Sequence, residues 1–187
     1  GYGVMPLVLG DLKPDYVDLI EALGGQVITL GRGRGYLNIL DPGEATEAAA
    51  RLREAGFEKE ASQVLADAHG RRHTMVSALL TILRSTPPTD REETIIDRAL
   101  KHLDEHHHGV PVLGDLLRVI QDGPPEVRAV ALDRGDDARY KAITEDLEAS
   151  LIGLVGGGRL GETFARQTTN PMRRDAPVVY DVSAIDD

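Results

Sequence analysis

Three charged side chains lie close together where an α/β protein would bind a ligand. Asp11, Lys13 and Asp15 follow residues 4–9, a short apolar run that is typical of a strand buried on both faces. Ligands of open α/β sheets bind beyond the carboxyl ends of the strands, so these side chains could contact one. Asp11 and Lys13 could equally do no more than organise the turn from strand to helix. The residues alone leave both interpretations open.

Two glycine-containing segments have part of the pattern of a phosphate-binding loop. The segments that begin at Gly153 and Gly156 have the glycine spacing of a P-loop, but Arg159 and Glu162 follow them where the phosphate-binding lysine belongs. A glutamate at that position carries the wrong charge. Neither segment follows a predicted strand, so a loop that terminates a helix is the favoured interpretation.

A third glycine-rich segment, residues 31–35, does follow a predicted strand and contains Arg32 and Arg34. It lacks the spacing and the following helix of a dinucleotide-binding fingerprint. Arg32 and Arg34 could contact phosphate or DNA in a larger assembly, while a solvated basic loop is the simpler interpretation.

Two histidine pairs have the spacing of metal ligands on one helix face. His102 and His106 stand four residues apart, and so do His69 and His73. The chain has no HExxH pattern, and the histidines at 106–108 are typical of a polar helix end. We therefore assign no metal site from the sequence.

Composition narrows the classes of function. The formal net charge of −10 argues against a general nucleic-acid clamp, because phosphate neutralisation supplies most non-specific affinity for DNA. The absence of cysteine excludes disulfides and thiolate chemistry, and it fits a reducing compartment. No stretch approaches the roughly 20 apolar residues of a membrane span, so we expect no membrane insertion.

The elements that must position these residues are of two kinds. Residues 4–9, 26–30 and 177–183 are apolar and bounded by turn residues, which predicts three strands of a parallel sheet, with a helix from Pro14 to Leu23 between the first two. Apolar residues spaced three and four apart predict helices elsewhere, and a Thr89–Glu92 capping box opens one of them. The predicted helices cover residues 44–54, 58–68, 72–85, 89–103, 111–120, 125–132 and 137–155, with breaks at Gly56 and Gly70.

We therefore predict an α/β fold that is mainly α, with an all-helical subdomain inserted into a small parallel sheet. Residues 1–43 would form a strand–helix–strand part of that sheet. Residues 44–170 would form the helical subdomain, and residues 171–187 would carry the returning strand.

Three passages resemble the FtsK/HerA class of P-loop motors, specifically the conjugative or type IV secretion ATPases. Residues 7–16, LVLGDLKPDY, are similar to the strand and DPKGEY-type turn of that family. Residues 19–28, LIEALGGQVI, with residues 37–42, LNILDP, resemble its LxxALGGxVI and LNPLDP segments. Residues 157–164, GGRLGETF, resemble its GxLGxxF segment, and residues 177–183, PVVYDVS, resemble its PVVxFDxS segment. Leu12, Pro14, Asp15 and Ile39 depart from the family pattern.

The resemblance implies that the sheet is part of a larger, RecA-like P-loop ATPase domain in a hexameric cytoplasmic motor at the inner face of the membrane. Such a motor moves DNA or protein with other subunits of a secretion or conjugation complex, and the helical subdomain would contact a partner or substrate. Asp11 and Lys13 would lie near the nucleotide. The P-loop would precede residue 1 and the Walker B strand would follow residue 187, so ATP and Mg²⁺ would belong to the parent protein. We expect this chain alone to bind no cofactor and to hydrolyse no ATP.

Two other hypotheses remain. The chain could be a stand-alone, non-catalytic helical adaptor that binds proteins. It could also be a small enzyme that uses Asp11 and Lys13, which would be active without a partner.

Overall fold

The computed structural model describes residues 38–156 in full, together with the backbone of three short strands. The strands are β1 (Leu7–Gly10), β2 (Gln26–Thr29) and β3 (Val178–Asp181). Between residues 38 and 156 the chain forms α1 (Ala45–Glu54), α2 (Glu58–Arg84), α3 (Asp90–His106), α4 (Leu113–Asp122), α5 (Pro125–Ala131) and α6 (Asp137–Val155). The described chain is mainly helical, as predicted.

The three strands pair in parallel in the order β1-β3-β2. Leu7 is in register with Val178, and Gln26 is in register with Val178 on the other side of β3. Among the described strands, the one that comes last in the sequence is therefore central. A parallel connection needs a crossover of a dozen or more residues, and the chain from β2 to β3 includes all six helices.

Two predicted helix boundaries are wrong. Residues 58–68 and 72–85 were expected to form separate helices, but α2 continues through Gly70. A glycine inside a helix costs only about 1 kcal/mol relative to alanine, and packing of the flanking turns outweighs that cost. Pro111 was expected to open α4, but α4 begins at Leu113, where the Asp115 carboxylate accepts a hydrogen bond from the Val112 N–H at 2.8 Å.

Capping side chains fix the starts of α3 and α6. The predicted capping box of α3 is confirmed, because Thr89 Oγ1 accepts from the Glu92 N–H at 3.2 Å and Glu92 Oε1 accepts from the Thr89 N–H at 3.0 Å. Asp136 accepts from the N–H groups of Ala138 and Arg139 at the start of α6. These bonds satisfy donors that a helix terminus leaves without intrahelical partners.

One aliphatic core joins α2 to α6. Antiparallel contacts pair α2 with α3, while α3 also packs on α4 and α5, and α6 packs on α4. Fully or almost fully buried apolar side chains from every one of these helices meet in the core: Val76, Leu79, Leu80, Ile95, Ile96, Ala99, Leu100, Leu113, Leu116, Ile120, Val127, Ala131, Leu147, Leu151 and Leu154. The low aromatic content of the chain is thus matched by a core of aliphatic residues.

The segment that precedes α1 is part of this core. Ile39 and Leu40 are buried in it, and Asn38 is also buried. The Asn38 amide donates to the carbonyl of Pro111 at 2.7 Å, and its oxygen accepts from the Leu40 N–H at 3.0 Å. A buried polar side chain with both ends satisfied fixes this turn against the start of α4.

The turn between α4 and α5 is closed by an aromatic ring. Gly123 ends α4 in the left-handed conformation, with φ of 60°, and a Cβ atom there would lie 2.9 Å from the ring of Tyr140. The Tyr140 hydroxyl donates to the carbonyl of Ile120 at 2.5 Å. Burial raises the pKa of Tyr140 to about 12. Only glycine fits this turn while the ring is in place.

Within the described part of the chain, none of the helices has the length and apolar character needed to cross a membrane.

Candidate functional site

Four residues were predicted from the sequence to contact nucleotide, phosphate or DNA, and all four lie outside the described residues. These are Asp11, Lys13, Arg32 and Arg34. The structure does describe the strand ends that precede them in sequence. Gly10 of β1 and Thr29 of β2 are both in register with Asp181 of β3, so the carboxyl ends of the three strands form one edge of the sheet. This is the kind of edge at which α/β proteins bind ligands.

The glycines that mimic a P-loop belong to the end of a helix, as far as they are described. Gly153 lies inside α6, and Gly156 is the C-cap of that helix, where its N–H donates to the Ile152 carbonyl at 2.8 Å. A P-loop needs glycines in a loop that precedes a helix. The described half of this segment therefore matches the interpretation of a helix-terminating loop.

A row of polar contacts joins α2 to α3, which we call the polar seam. It consists of His69, Arg72, His73 and Ser77 on α2, with Glu93, Asp97 and Asp104 on α3. On α2, Arg72 and His73 follow His69 by three and four residues, and Ser77 follows His73 by four, so the members lie along one side of the helix. The two helices are antiparallel, so His69 meets Asp97 whereas His73, one turn later in α2, meets Glu93, one turn earlier in α3.

Each histidine of the seam contacts a carboxylate. His69 Nε2 donates to Asp97 Oδ1 at 2.6 Å, and His73 Nε2 donates to Glu93 Oε2 at 2.6 Å. The Ser77 hydroxyl donates to the same oxygen of Glu93 at 2.9 Å. Ser77 and His73 thus share one acceptor, which differs from a nucleophile–base pair in which serine donates to histidine.

The seam also contains an arginine–carboxylate pair. Arg72, with a side chain 7% exposed, donates from both terminal nitrogens to the two oxygens of Asp104 at 2.7 Å. Such a two-point contact has a defined geometry and is stronger than a neutral hydrogen bond. It fixes the relative position of the two helices.

The charge on Asp97 is stabilised by its neighbours. Burial raises the pKa of Asp97, but the hydrogen bonds and positive charges of His69 and Lys101 outweigh burial, so the pKa lies below its usual value. Lys101 Nζ lies 3.2 Å from Asp97 Oδ2. The seam is therefore held in part by an ionised carboxylate.

A second arginine joins three helices at the other end of α2. Arg84 donates two hydrogen bonds to Glu92 of α3, at 2.8 and 2.7 Å, and one to the Ser150 hydroxyl of α6 at 2.8 Å. The hydrogen bond from Arg84 lowers the pKa of Glu92, although burial opposes it, and the same bond raises the pKa of Arg84. Glu92 also takes part in the cap of α3, so one buried carboxylate serves two contacts.

A different group forms where α3 ends beside α5. His102 and His106 share a face of α3, with ring centroids 4.3 Å apart, and His102 Nδ1 forms a short contact with Glu126 Oε1 of α5. Within residues 38–156 these three side chains form a group whose ligand atoms all lie within 4.8 Å of one another. The group lines an open hollow with Arg98, Lys101 and Glu105.

The structure thus separates the two histidine pairs of the sequence. His69 and His73 lie in the polar seam against carboxylates of α3, whereas His102 and His106 face a third ligand from another helix. Sequence reasoning missed Glu126, because it follows His102 by 24 residues and only packing of α5 on α3 brings the two together. The one relevant feature of the sequence is that Glu126 follows two prolines, which places it in the first turn of a helix.

Comparison with known proteins gave no matching family model, no similar curated protein and no similar solved structure. The resemblance to type IV secretion ATPases thus stays a prediction from the sequence passages alone.

Proposed function

We propose that this chain is part of an ATP-driven motor for conjugative DNA transfer or type IV secretion, in which the helical part contacts a protein partner or substrate. The observation that carries the proposal is the strand order β1-β3-β2. The last strand that the structure describes pairs in parallel between the first two, although the six described helices lie between it and β2 in the sequence.

That order supports an inserted helical subdomain. A standard parallel crossover contains one helix, whereas the chain between β2 and β3 includes a set of helices with its own core. An all-helical insertion at this point of a parallel sheet is what the resemblance implies for the RecA-like domain of the motors. The passages that carry the resemblance flank the helices on both sides.

In this proposal the edge formed by the carboxyl ends of the strands faces the nucleotide of the parent motor. Asp11 follows β1 directly, with Lys13 two residues later, and both would lie near ATP and Mg²⁺ held by the parent. Arg32 and Arg34 follow β2 and would contact phosphate or DNA. The parent would be a hexamer at the inner face of the membrane, with other subunits of a secretion complex as partners.

The acidic charge of the chain favours a protein over DNA as the partner of the helical part. The formal net charge is −10, and a surface with that balance repels phosphate at moderate ionic strength. DNA contact would therefore belong to other parts of the motor.

The test is calorimetric titration of Mg·ATP into this chain and into a longer form that carries flanking residues on both sides. We expect binding by the longer form only, because the phosphate cradle would lie in the flanking sequence. The matched control is the longer form with its P-loop lysine changed to alanine, which should not bind. Binding by the 187-residue chain itself, or by neither form, would contradict the proposal.

A stand-alone helical adaptor is the second candidate, favoured by the self-contained core of α2 to α6. It differs from the motor in one property that is simple to check. A gene that encodes no GxxxxGK[ST] segment upstream of residue 1 would favour the adaptor.

A further inference from the structure

The end of α3 and the start of α5 bring together three side chains that could bind a metal ion. His102 and His106 lie in the last two turns of α3, and Glu126 lies in the first turn of α5. The three come from two helices that pack on each other, so their mutual position is set by the fold. This group plays no part in the motor proposal.

Two imidazole nitrogens and one carboxylate oxygen are a recognised ligand set for zinc. Zn²⁺ binds histidine nitrogen and carboxylate oxygen at about 2.0–2.2 Å, and open sites use three protein ligands with water in the fourth position. A tetrahedral site with such bonds places its ligand atoms roughly 3.3 Å apart. The ligand atoms of the present group lie within 4.8 Å of one another, so rotation of the side chains, which moves His102 and Glu126 apart and brings His106 closer, gives this spacing.

The exposure of the three side chains allows that rotation. His106 is 59% exposed, and its ring can turn without disturbing the core. His102 and Glu126 are 22% and 33% exposed and already contact each other across the helix pair. Two ligands are thus positioned by packing, and the third is free to complete the site.

Some charges around the hollow disfavour a bound cation, and others favour it. Arg98 and Lys101 line it and disfavour a dication. Lys101, however, has a partner of its own in Asp97, and Glu105 lies 3.8 Å from His106 as a second carboxylate.

We propose that His102, His106 and Glu126 form a binding site for a divalent transition-metal cation of the Zn²⁺ type, which joins the end of α3 to the start of α5. The fourth position is open to the hollow and takes water.

The test is calorimetric titration of ZnCl₂ into the purified, metal-free 187-residue chain, with Co²⁺ absorption as a report of the coordination geometry. We expect one ion per chain and a higher unfolding temperature with Zn²⁺. His106→Gln and Glu126→Gln should each weaken binding about tenfold or more, because each removes one of three ligands.

The control is His108→Gln, which removes a neighbouring exposed histidine and should change the affinity by less than about twofold. Equal losses for His108→Gln and His106→Gln would show adventitious binding by the histidine tract and overturn the proposal. So would the absence of one-to-one binding by the unsubstituted chain. His106 is exposed, so its variant should keep the unfolding temperature of the metal-free chain, which separates loss of a ligand from loss of the fold.

Discussion

The two sides of α3 hold the molecule together by different means. Toward the middle of α2 it presents Glu93, Asp97 and Asp104, which meet histidines and an arginine in the polar seam. Toward the aliphatic core it presents residues such as Ile96 and Leu100, which are fully buried. Apolar burial is non-directional and supplies most of the folding free energy, whereas paired charges fix the alignment of two helices and respond to pH. The core should therefore determine stability at neutral pH, and Asp97 of the seam should contribute, together with Glu92 beside Arg84, to the fall of stability in acid.

The largest loss is expected in the core. Leu100→Ala removes a fully buried side chain among aliphatic neighbours, and it should lower the free energy of unfolding by about 2–5 kcal/mol, as measured by urea denaturation. The control is Leu83→Ala, since Leu83 is 44% exposed and should contribute well under half as much. Equal losses for both variants would mean that the core does not dominate stability.

A buried ion pair should come next. Glu92→Ala leaves Arg84 partly buried without its main partner and removes half of the α3 capping box, so we expect a loss of about 3 kcal/mol at pH 7. The matched control is Glu58→Ala, which breaks the exposed Arg53–Glu58 pair and should cost less than about 1 kcal/mol. Urea denaturation of both variants measures the difference. Similar values would show that burial does not distinguish these two ion pairs.

The contribution of Asp97 in the seam should be visible in how the free energy of unfolding changes at acid pH. The pKa of Asp97 is lowered in the folded protein, so its charge stabilises the fold above the ordinary value of 3.8, and that contribution is lost as the pH falls through the folded pKa. Asp97→Asn should cost about 1 kcal/mol at pH 7 and should flatten the fall in stability below pH 3.8. Unfolding free energies from pH 7 to pH 2.5 test this. Glu145→Gln, at an exposed position on α6, is the control and should leave the slope unchanged.

The smallest effect is expected at Gly70, which lies beside the seam on the exposed side of α2. A Cβ atom there would meet no neighbouring atom, so Gly70→Ala should raise the free energy of unfolding by about 0.5–1 kcal/mol. Gly123→Ala should act in the opposite direction, because the position has a positive φ and contacts the ring of Tyr140. Thermal denaturation of the two variants compares them directly. A stabilising Gly123→Ala would contradict the account of this turn.

The helices could be predicted because their signals are local. Apolar spacing and the Thr89–Glu92 capping box depend on residues within one or two turns, and both appear in the structure. The break predicted at Gly70 was wrong, because local propensity is weak compared with packing of the flanking turns against α1 and α3. Local patterns therefore identified the elements more reliably than they identified where a long helix is interrupted.

The groups with chemistry could be predicted only in part. The i,i+4 spacing of His102 and His106 was visible in the sequence, but Glu126 and the carboxylates of the seam come from other helices. Such partners depend on which helix faces pack together, and this is a property of the tertiary fold. The same i,i+4 spacing therefore occurs in two histidine pairs whose surroundings differ, and the spacing alone could not distinguish them.

The contact between Gly123 and Tyr140 has a consequence for how this sequence can diverge. The ring blocks any side chain at position 123, so relatives that keep an aromatic residue at 140 should keep glycine at 123. A lineage can lose that glycine only after the ring has been replaced by a smaller side chain. Substitutions at the two positions should therefore be correlated among relatives, with the change at 140 preceding the change at 123.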